Sequence, residues 1–284
     1  VYLRSGSNFF EWNPPASPVS IGVAPSGTGS IVQVSADGAL LAATGSGNLR
    51  VTNFTTSQVL PTGTFPLVSD ISDSGSVIVG TSRDGANIGR AEIWNRVGTS
   101  LTYTRTDIGT NAGNLMNGLP ILGGMAEGVS PDGSRTVGNF TRSTVVDHNE
   151  AFLWNSTTNT LLGLGLLPGT NSTYATDVTD QGIVVGYGDT NPSPSINGGL
   201  GFVWTQALGL RTLPDYLLAR HGVSISGLLS TANRIEAVSD DGRLFLVSDS
   251  DSTGLARLTA IRIVVPEVSP AGLLGSSLPL AGLL

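Results

Sequence analysis

Residues 126–154 read AEGVSPDGSRTVGNFTRSTVVDHNEAFLW, and three pieces of that stretch decide the fold. An apolar residue leads into Val129-Ser130, Pro131-Asp132-Gly133 makes a turn, and the run closes on Ala151-Phe152-Leu153-Trp154. The turn has a physical cause. A hydroxyl at its first place can bond backbone, Pro presets φ at the second, Asp suits the third, and Gly takes the left-handed conformation. That is a type I turn followed by a glycine bulge, a common short hairpin connection.

Working outward, the same pieces recur four times in degraded form. The turn returns as Ser35-Ala36-Asp37-Gly38, Ser72-Asp73-Ser74-Gly75, Thr179-Asp180-Gln181-Gly182 and Ser239-Asp240-Asp241-Gly242. Each copy is flanked by β-branched or aliphatic runs such as Val77-Ile78-Val79 and Ile183-Val184-Val185. Trp94, Trp154 and Trp204 end three units, roughly 20 residues past Gly75, Gly133 and Gly182; Phe54 ends the unit begun at Gly38, and the unit of Gly242 ends without Trp. Five hairpins in phase with apolar-x-Trp endings predict an array of one supersecondary unit. The turn glycines Gly38, Gly75, Gly133, Gly182 and Gly242 and the three Trp are therefore read as structural, with Trp as the wedge between neighbouring sheets.

Pieces beyond the Trp, such as Asp107-Ile108-Gly109 and Leu162-Gly163-Leu164-Gly165, look like an outer fourth strand. Four strands per unit of about 45–55 residues predict an all-β fold, a β-propeller. The units fall at about 13–56, 57–97, 98–157, 158–207 and 208–264. Residues 1–12, ending in Asn8-Phe9-Phe10-Glu11-Trp12, are expected to supply the strand that closes the last unit. The count is five blades, or six if residues 1–30 form more than one strand. One insertion, 213–222, reads as a short helix: Pro214 near its start, Asp215 in the first turn, Arg220 and His221 late, Gly222 after.

Composition agrees and excludes several functions. The 284 residues include 38 Gly and only 12% charged residues, so short strands and tight turns suit the chain better than helices. A net charge of −7, with all 14 basic residues Arg, opposes nucleic-acid binding, which needs a basic face to release counterions. With no Cys, disulfides, thiolate zinc sites and cysteine nucleophiles are out, which suits an exported protein avoiding stray thiols.

Candidate chemistry is sparse. His148 and His221 lack a ligand spacing, and no strand-turn-helix serine motif occurs. Asp249, Asp251 and Thr253 resemble the first half of an oxygen-ligand calcium loop, but its twelfth position is Ala260 where a bidentate Glu is needed. A polar hairpin turn is the preferred reading there. No catalytic residue and no cofactor is expected. The alternative is a hydrolase or lyase site in the central channel, for which the sequence shows no pattern of converging acids.

After Ile263 the text changes to Val264-Val265-Pro266-Glu267-Val268-Ser269-Pro270 and then AGLLGSSLPLAGLL. Residues 265–284 read as a linker and an apolar, membrane-anchor-like tail carried by Leu273, Leu274, Leu278, Leu280, Leu283 and Leu284. Pro266-Glu267 with the Leu-Gly segment resembles the start of the PEP-CTERM sorting signal of exported bacterial proteins, with Val268 where that family has Pro. The repeats are similar to the extracellular HAF-repeat family, whose units run A-x-x-V-S-x-D-G-x-x-V-V-G, then A-F-x-W, then L-G. The best copies are 126–154 and 175–204, and the likeness covers most of 31–264. Together these resemblances imply a secreted or surface propeller, held at the outer face of a membrane by its C-terminus. The function expected is a non-enzymatic structural or interaction subunit with a protein partner in a membrane complex. The alternative is a surface or matrix protein that self-associates or binds glycan.

Overall fold

The computed structural model describes residues 2–5, 8–11, 15–23, 31–45, 47–113, 115–143, 148–189, 199–225, 227, 229, 233–250 and 255–264. The tail positions Pro266, Glu267, Leu273, Leu274, Leu278, Leu280, Leu283 and Leu284, and the calcium-loop candidates Asp251 and Thr253, lie outside them.

Four antiparallel four-stranded meanders carry the fold. The second sheet runs Ile31–Val34, Leu41–Gly45, Asn48–Thr52, Ser57–Val59, and the third Thr64–Ile71, Val77–Arg83, Gly89–Arg96, Tyr103–Asp107. The fourth runs Gly123–Val129, Arg135–Ser143, His148–Asn155, Thr160–Gly163. The fifth runs Ser172–Val178, Val184–Asp189, Leu200–Thr205, Gly209–Thr212. The sixth has three described strands, Asn233–Val238, Leu244–Ser250 and Ala256–Arg262. Tyr2–Ser5, Asn8–Glu11 and Val19–Val23 make a first, three-stranded sheet.

Two expectations change. Asn8–Glu11 pairs on both edges inside the first sheet, so it is not the strand that closes the last unit, and residues 1–30 form more than one strand. The unit boundaries also move outward, because each strand after the Trp folds back onto its own sheet: Trp94 pairs with Arg105, Trp154 with Leu161 and Trp204 with Leu210. Asp107 ends such a strand and then caps the helix Ile108–Asn111 with its side chain, which stops the strand before Gly109.

The turns explain why these hairpins form. Ser130 Oγ donates to Asp132 Oδ1 at 2.7 Å and accepts from Arg135 N at 3.0 Å, while Gly133 N donates to Ser130 O at 2.8 Å. Ser35 and Ser239 repeat the pattern with Asp37 and Asp241. Those hydroxyl bonds hold the Asp37 and Asp241 carboxyls below the usual carboxylate range. The turn glycine does two jobs. All five have φ between 65° and 78°, and four of the five also touch the preceding sheet. A Cβ on Gly75 would lie 2.4 Å from Leu40, on Gly133 2.7 Å from Val77, and on Gly242 2.4 Å from Ile183. Backbone bonds lace turn to turn as well, Ala36 N to Asp73 O and Asp73 N to Pro131 O, each at 3.0 Å.

The core lies between sheets. Trp94 packs with Leu40, Leu49 and Val51 of the second sheet, Trp154 with Val77 and Val79 of the third, and Trp204 with Val137 and Ala151 of the fourth. All three Trp are buried. The wedges bury large apolar area without long side chains from helices. The inserted helix forms over Leu213–His221, capped by Thr212 and ended by left-handed Gly222, and it buries Leu213, Tyr216 and Leu217 against the sixth sheet.

Candidate functional site

A meander places its first-to-second and third-to-fourth connections at one end and all others at the opposite end. At the first end lie the repeated turns, uniform and short. The longer connections start from the other end: the one after the third sheet holds the helix Ile108–Asn111, and the one after the fifth runs back toward the turns as the helix Leu213–His221, whose Tyr216, Ala219 and Arg220 line a hollow with Gln181, Leu208 and Asp241. Variable connections on a fixed scaffold are where binding groups are carried.

From the second sheet to the sixth the first strand is innermost, since these first strands contact one another in turn. Asp70 Oδ2 accepts from Val129 N at 3.0 Å, Asp177 Oδ2 accepts from Val238 N at 2.9 Å, Thr176 Oγ1 donates to Ile235 O at 2.7 Å, and Gln33 donates to Ser69 O. Between the fourth and fifth sheets Gly128 serves instead: a Cβ there would lie 2.7 Å from Thr176 O, so the strands touch directly.

Four of these innermost strands carry a β-bulge at one equivalent place. The register skips Ser69, Glu127, Thr176 and Glu236, the residue after the motif's leading apolar position. A bulge re-aims the side chain that it carries. The neighbouring residue is Ala126, Ala175 or Ile235, each fully buried in the core between sheets, while the bulge residues are only partly buried.

Around these bulges the variable end gathers its charged and aromatic groups. Arg234 lies over the Tyr187 ring at 3.7 Å from its centroid, and Tyr187 stacks on Tyr174 with centroids 5.0 Å apart. Arg234 Nε is 3.9 Å from Glu236 Oε1, too far for a hydrogen bond, and that Glu236 oxygen accepts from Ser248 Oγ. Asn149 Nδ2 donates to Tyr174 OH at 3.0 Å. Burial pushes the Glu127 carboxyl up, opposed by the positive charge of Arg234, and burial pushes the Tyr187 phenol up to about 12. The sequence reading singled out none of these residues.

The third sheet departs from its neighbours. Glu92 stands where the fourth and fifth sheets have Phe152 and Phe202, and Ser82 where the fourth has Phe140. The Phe140–Phe152 stack, at 4.5 Å, is thus replaced by a Ser82 Oγ to Glu92 Oε1 bond of 2.7 Å, with Arg105 paired to the same oxygen. The Glu92 side chain is wholly buried and the Arg105 side chain is 33% exposed. The two halves of this pair should therefore differ on removal. Arg105→Ala leaves the buried Glu92 carboxyl with Ser82 but without its counter-charge and is expected to cost about 3 kcal/mol, whereas Glu92→Gln leaves a guanidinium that reaches water and costs about 1 kcal/mol. Urea unfolding of both variants checks the order.

The remaining sequence candidates do not converge. His148 opens a strand of the fourth sheet and His221 ends the helix beside Tyr216. Asp249 Oδ1 accepts from Arg257 Nε at 2.8 Å, which commits its carboxylate to a guanidinium. Among the described residues no group of three His, Cys, Asp or Glu is placed to hold a metal ion, and no helix is long and apolar enough to cross a membrane.

No protein-family model matches the chain, and no characterised protein matches it in sequence. Solved structures do match in fold. Oligogalacturonate lyase from Vibrio parahaemolyticus superposes with a TM-score of 0.55 at 12% identity, over 93% of this chain and 74% of that one. TolB from Acinetobacter baumannii gives a TM-score of 0.47 at 16% identity, over 82% of this chain and 49% of that one. The chain spans about half the length of that TolB. At such identities the likeness is one of architecture: the chain is a β-propeller, and its chemistry has to be read from its own residues.

Proposed function

We propose that the chain is a non-enzymatic interaction propeller, exported and held by its C-terminal segment, that docks a protein partner at its variable end on the outer face of a membrane complex. The observation that carries this reading is Phe65. Its side chain is 73% exposed, and its backbone sits at φ +48°, immediately before Pro66. A bulky L-residue in that region costs about 1–2 kcal/mol, and an exposed aromatic gains nothing from the solvent it faces.

Phe65 is not isolated. It lines a groove of about 620 Å³ between the second and third sheets with Thr44, Pro66, Leu67, Arg83 and Asn87. Leu67, Ile88 and Met125 continue the exposed apolar surface toward the fourth sheet. An apolar strip rimmed by polar groups and centred on an aromatic is what a protein interface needs. The membrane part of the proposal is supported by the sorting-signal resemblance of residues 265–284.

The test is co-purification from a membrane extract of the source. The double variant Phe65→Ser, Leu67→Ser is expected to lose the co-purifying protein by more than about tenfold while melting no lower than the parent. Retention of the partner by that variant sinks the docking surface. A chain ended at Val264 is expected to leave the membrane fraction, and its staying there overturns the anchoring. A second reading, self-association, is favoured by Ala256–Arg262: among the described residues no fourth strand covers it, and Leu258 is 62% exposed. Sedimentation that stays monomeric across concentration removes it.

A further inference from the structure

We propose that the Arg234 guanidinium, lying on the Tyr187 ring, anchors a binding site for a carboxylate-bearing ligand. The site is separate from the Phe65 surface, so either can fail without the other.

The argument starts from what Arg234 does not do. Its side chain donates no hydrogen bond among the described residues, and its Nε is buried with no hydrogen-bond partner. Buried polar groups left unpaired are few in native proteins and costly, more so when charged. Yet the side chain is held in place. Tyr187 supports its face at 3.7 Å, and Gly199 packs close enough that a Cβ there would lie 3.1 Å from Arg234 Cγ. The strand itself is tied by Asn233, whose N donates to Gly199 O at 2.7 Å and whose Oδ1 accepts from Gly201 N at 3.0 Å. A ring covers one face of the guanidinium and its edge carries unused N–H groups, the geometry that takes a carboxylate through two parallel bonds.

The surrounding acids decide the sign of the ligand. Glu236 is the nearer one, but its Oε1 is engaged by Ser248 and stands 3.9 Å from Arg234 Nε. Glu127 accepts no hydrogen bond among the described residues, and its burial favours the neutral carboxyl. A neutral Glu127 can donate its proton to the ligand oxygen that Arg234 does not hold. The Arg234 side chain spends none of its N–H donors on a hydrogen bond to the described residues, so an anion fits it better than an ammonium does. The ligand chemistry is a carboxylate, from a small organic acid or from the C-terminus of a peptide.

Isothermal titration of the full chain tests this with three probes: succinate, an N-acetylated tripeptide with a free C-terminal carboxylate, and the same tripeptide as its amide. The acid peptide or succinate is expected to bind saturably and the amide not at all; which acid binds tells the two sources apart. Arg234→Gln should weaken acid binding by about 10- to 100-fold, with Arg234→Lys restoring only part of it. Glu127→Gln should leave acid binding within a few-fold of the parent, since the Gln amide can donate where the neutral carboxyl did. Melting of each variant within about 2 °C of the parent separates loss of the site from loss of the fold. Equal binding of acid and amide, no saturable response to either acid up to roughly 10 mM, or unchanged acid affinity in Arg234→Gln overturns the proposal. So does loss of binding in Glu127→Gln, which would assign the site to a cation.

Discussion

Gly138→Ala is expected to lower the melting temperature by about 10 °C, a loss of about 3 kcal/mol. Gly138 sits in the middle of the fourth sheet, paired with Ala126 on one side and Phe152 on the other. A Cβ there would lie 2.0 Å from Met125 O and 2.9 Å from Ala126 Cα. These are backbone atoms of the innermost strand, immediately before its bulge, so no rotamer change relieves the contact. The strand must shift, and with it the bulge that aims Glu127 and the touching point of Gly128 on the fifth sheet. Gly80 and Gly186 stand in the same place, each with a Cβ position 2.0 Å from the carbonyl oxygen of Leu67 or Tyr174. They should behave alike. Gly85→Ala is the control: its Cβ would meet nothing within 4 Å, and thermal unfolding should leave it at or slightly above the parent. A Gly138→Ala protein that melts with the parent would show that the bulge relaxes freely, and the account of four fixed bulges would fail with it.

This glycine also shows how much of the molecule was legible in the sequence. Turn chemistry and the Trp spacing were readable because each depends on neighbours in the chain: Ser130 reaches Asp132 and Arg135, and Gly133 needs its own φ. The strand after each Trp was harder, since only pairing reveals that Tyr103–Asp107 belongs to the sheet before it. The first sheet is legible in the sequence only as an alternative, more than one strand within residues 1–30, because Asn8–Glu11 has no turn motif nearby and reads as the closing strand of the last unit. The candidate site was not legible at all. Ser69, Glu127, Thr176 and Glu236 share a place but no chemistry, so a search for recurring residue types passes over them. Their common feature is a register skip, and the glycine opposite was the one local sign of it in three sheets. Arg234 and Tyr187 come from different sheets and meet only in the folded state.

The second large effect is a fall in stability as pH rises from about 4 to about 7, the opposite of ordinary acid denaturation. Asp70 and Asp177 latch adjacent innermost strands through Val129 N and Val238 N, and each also accepts from the next backbone N–H, Ile71 or Val178. Burial nonetheless pushes the Asp70 carboxyl to about 7 and the Asp177 carboxyl to about 6, from an ordinary 3.8. The accepted hydrogen bonds pull the other way, and neighbouring acids add to the rise, Asp177 and Asp73 for Asp70 and Asp240 for Asp177. Below 3.8 both folded and unfolded chains hold the proton, and these groups contribute no pH dependence. Between 3.8 and the folded values the unfolded chain releases its protons while the folded one keeps them, so the folded state loses ground with rising pH. Above about 7 the curve is flat again. A carboxyl moved from about 4 to about 7 carries at most roughly 4 kcal/mol, and partial solvent access at Asp70 brings the expected loss to about 2 kcal/mol. Asp70→Asn mimics the protonated acid. Its amide oxygen can still accept one backbone N–H, so the variant should melt slightly below the parent at pH 5 and at or above it at pH 8. Differential scanning calorimetry at those two pH values decides: a parent protein equally stable at both, or a variant that keeps the parent's slope, would show that the latch carboxyls are ionised in the fold and held by their backbone donors.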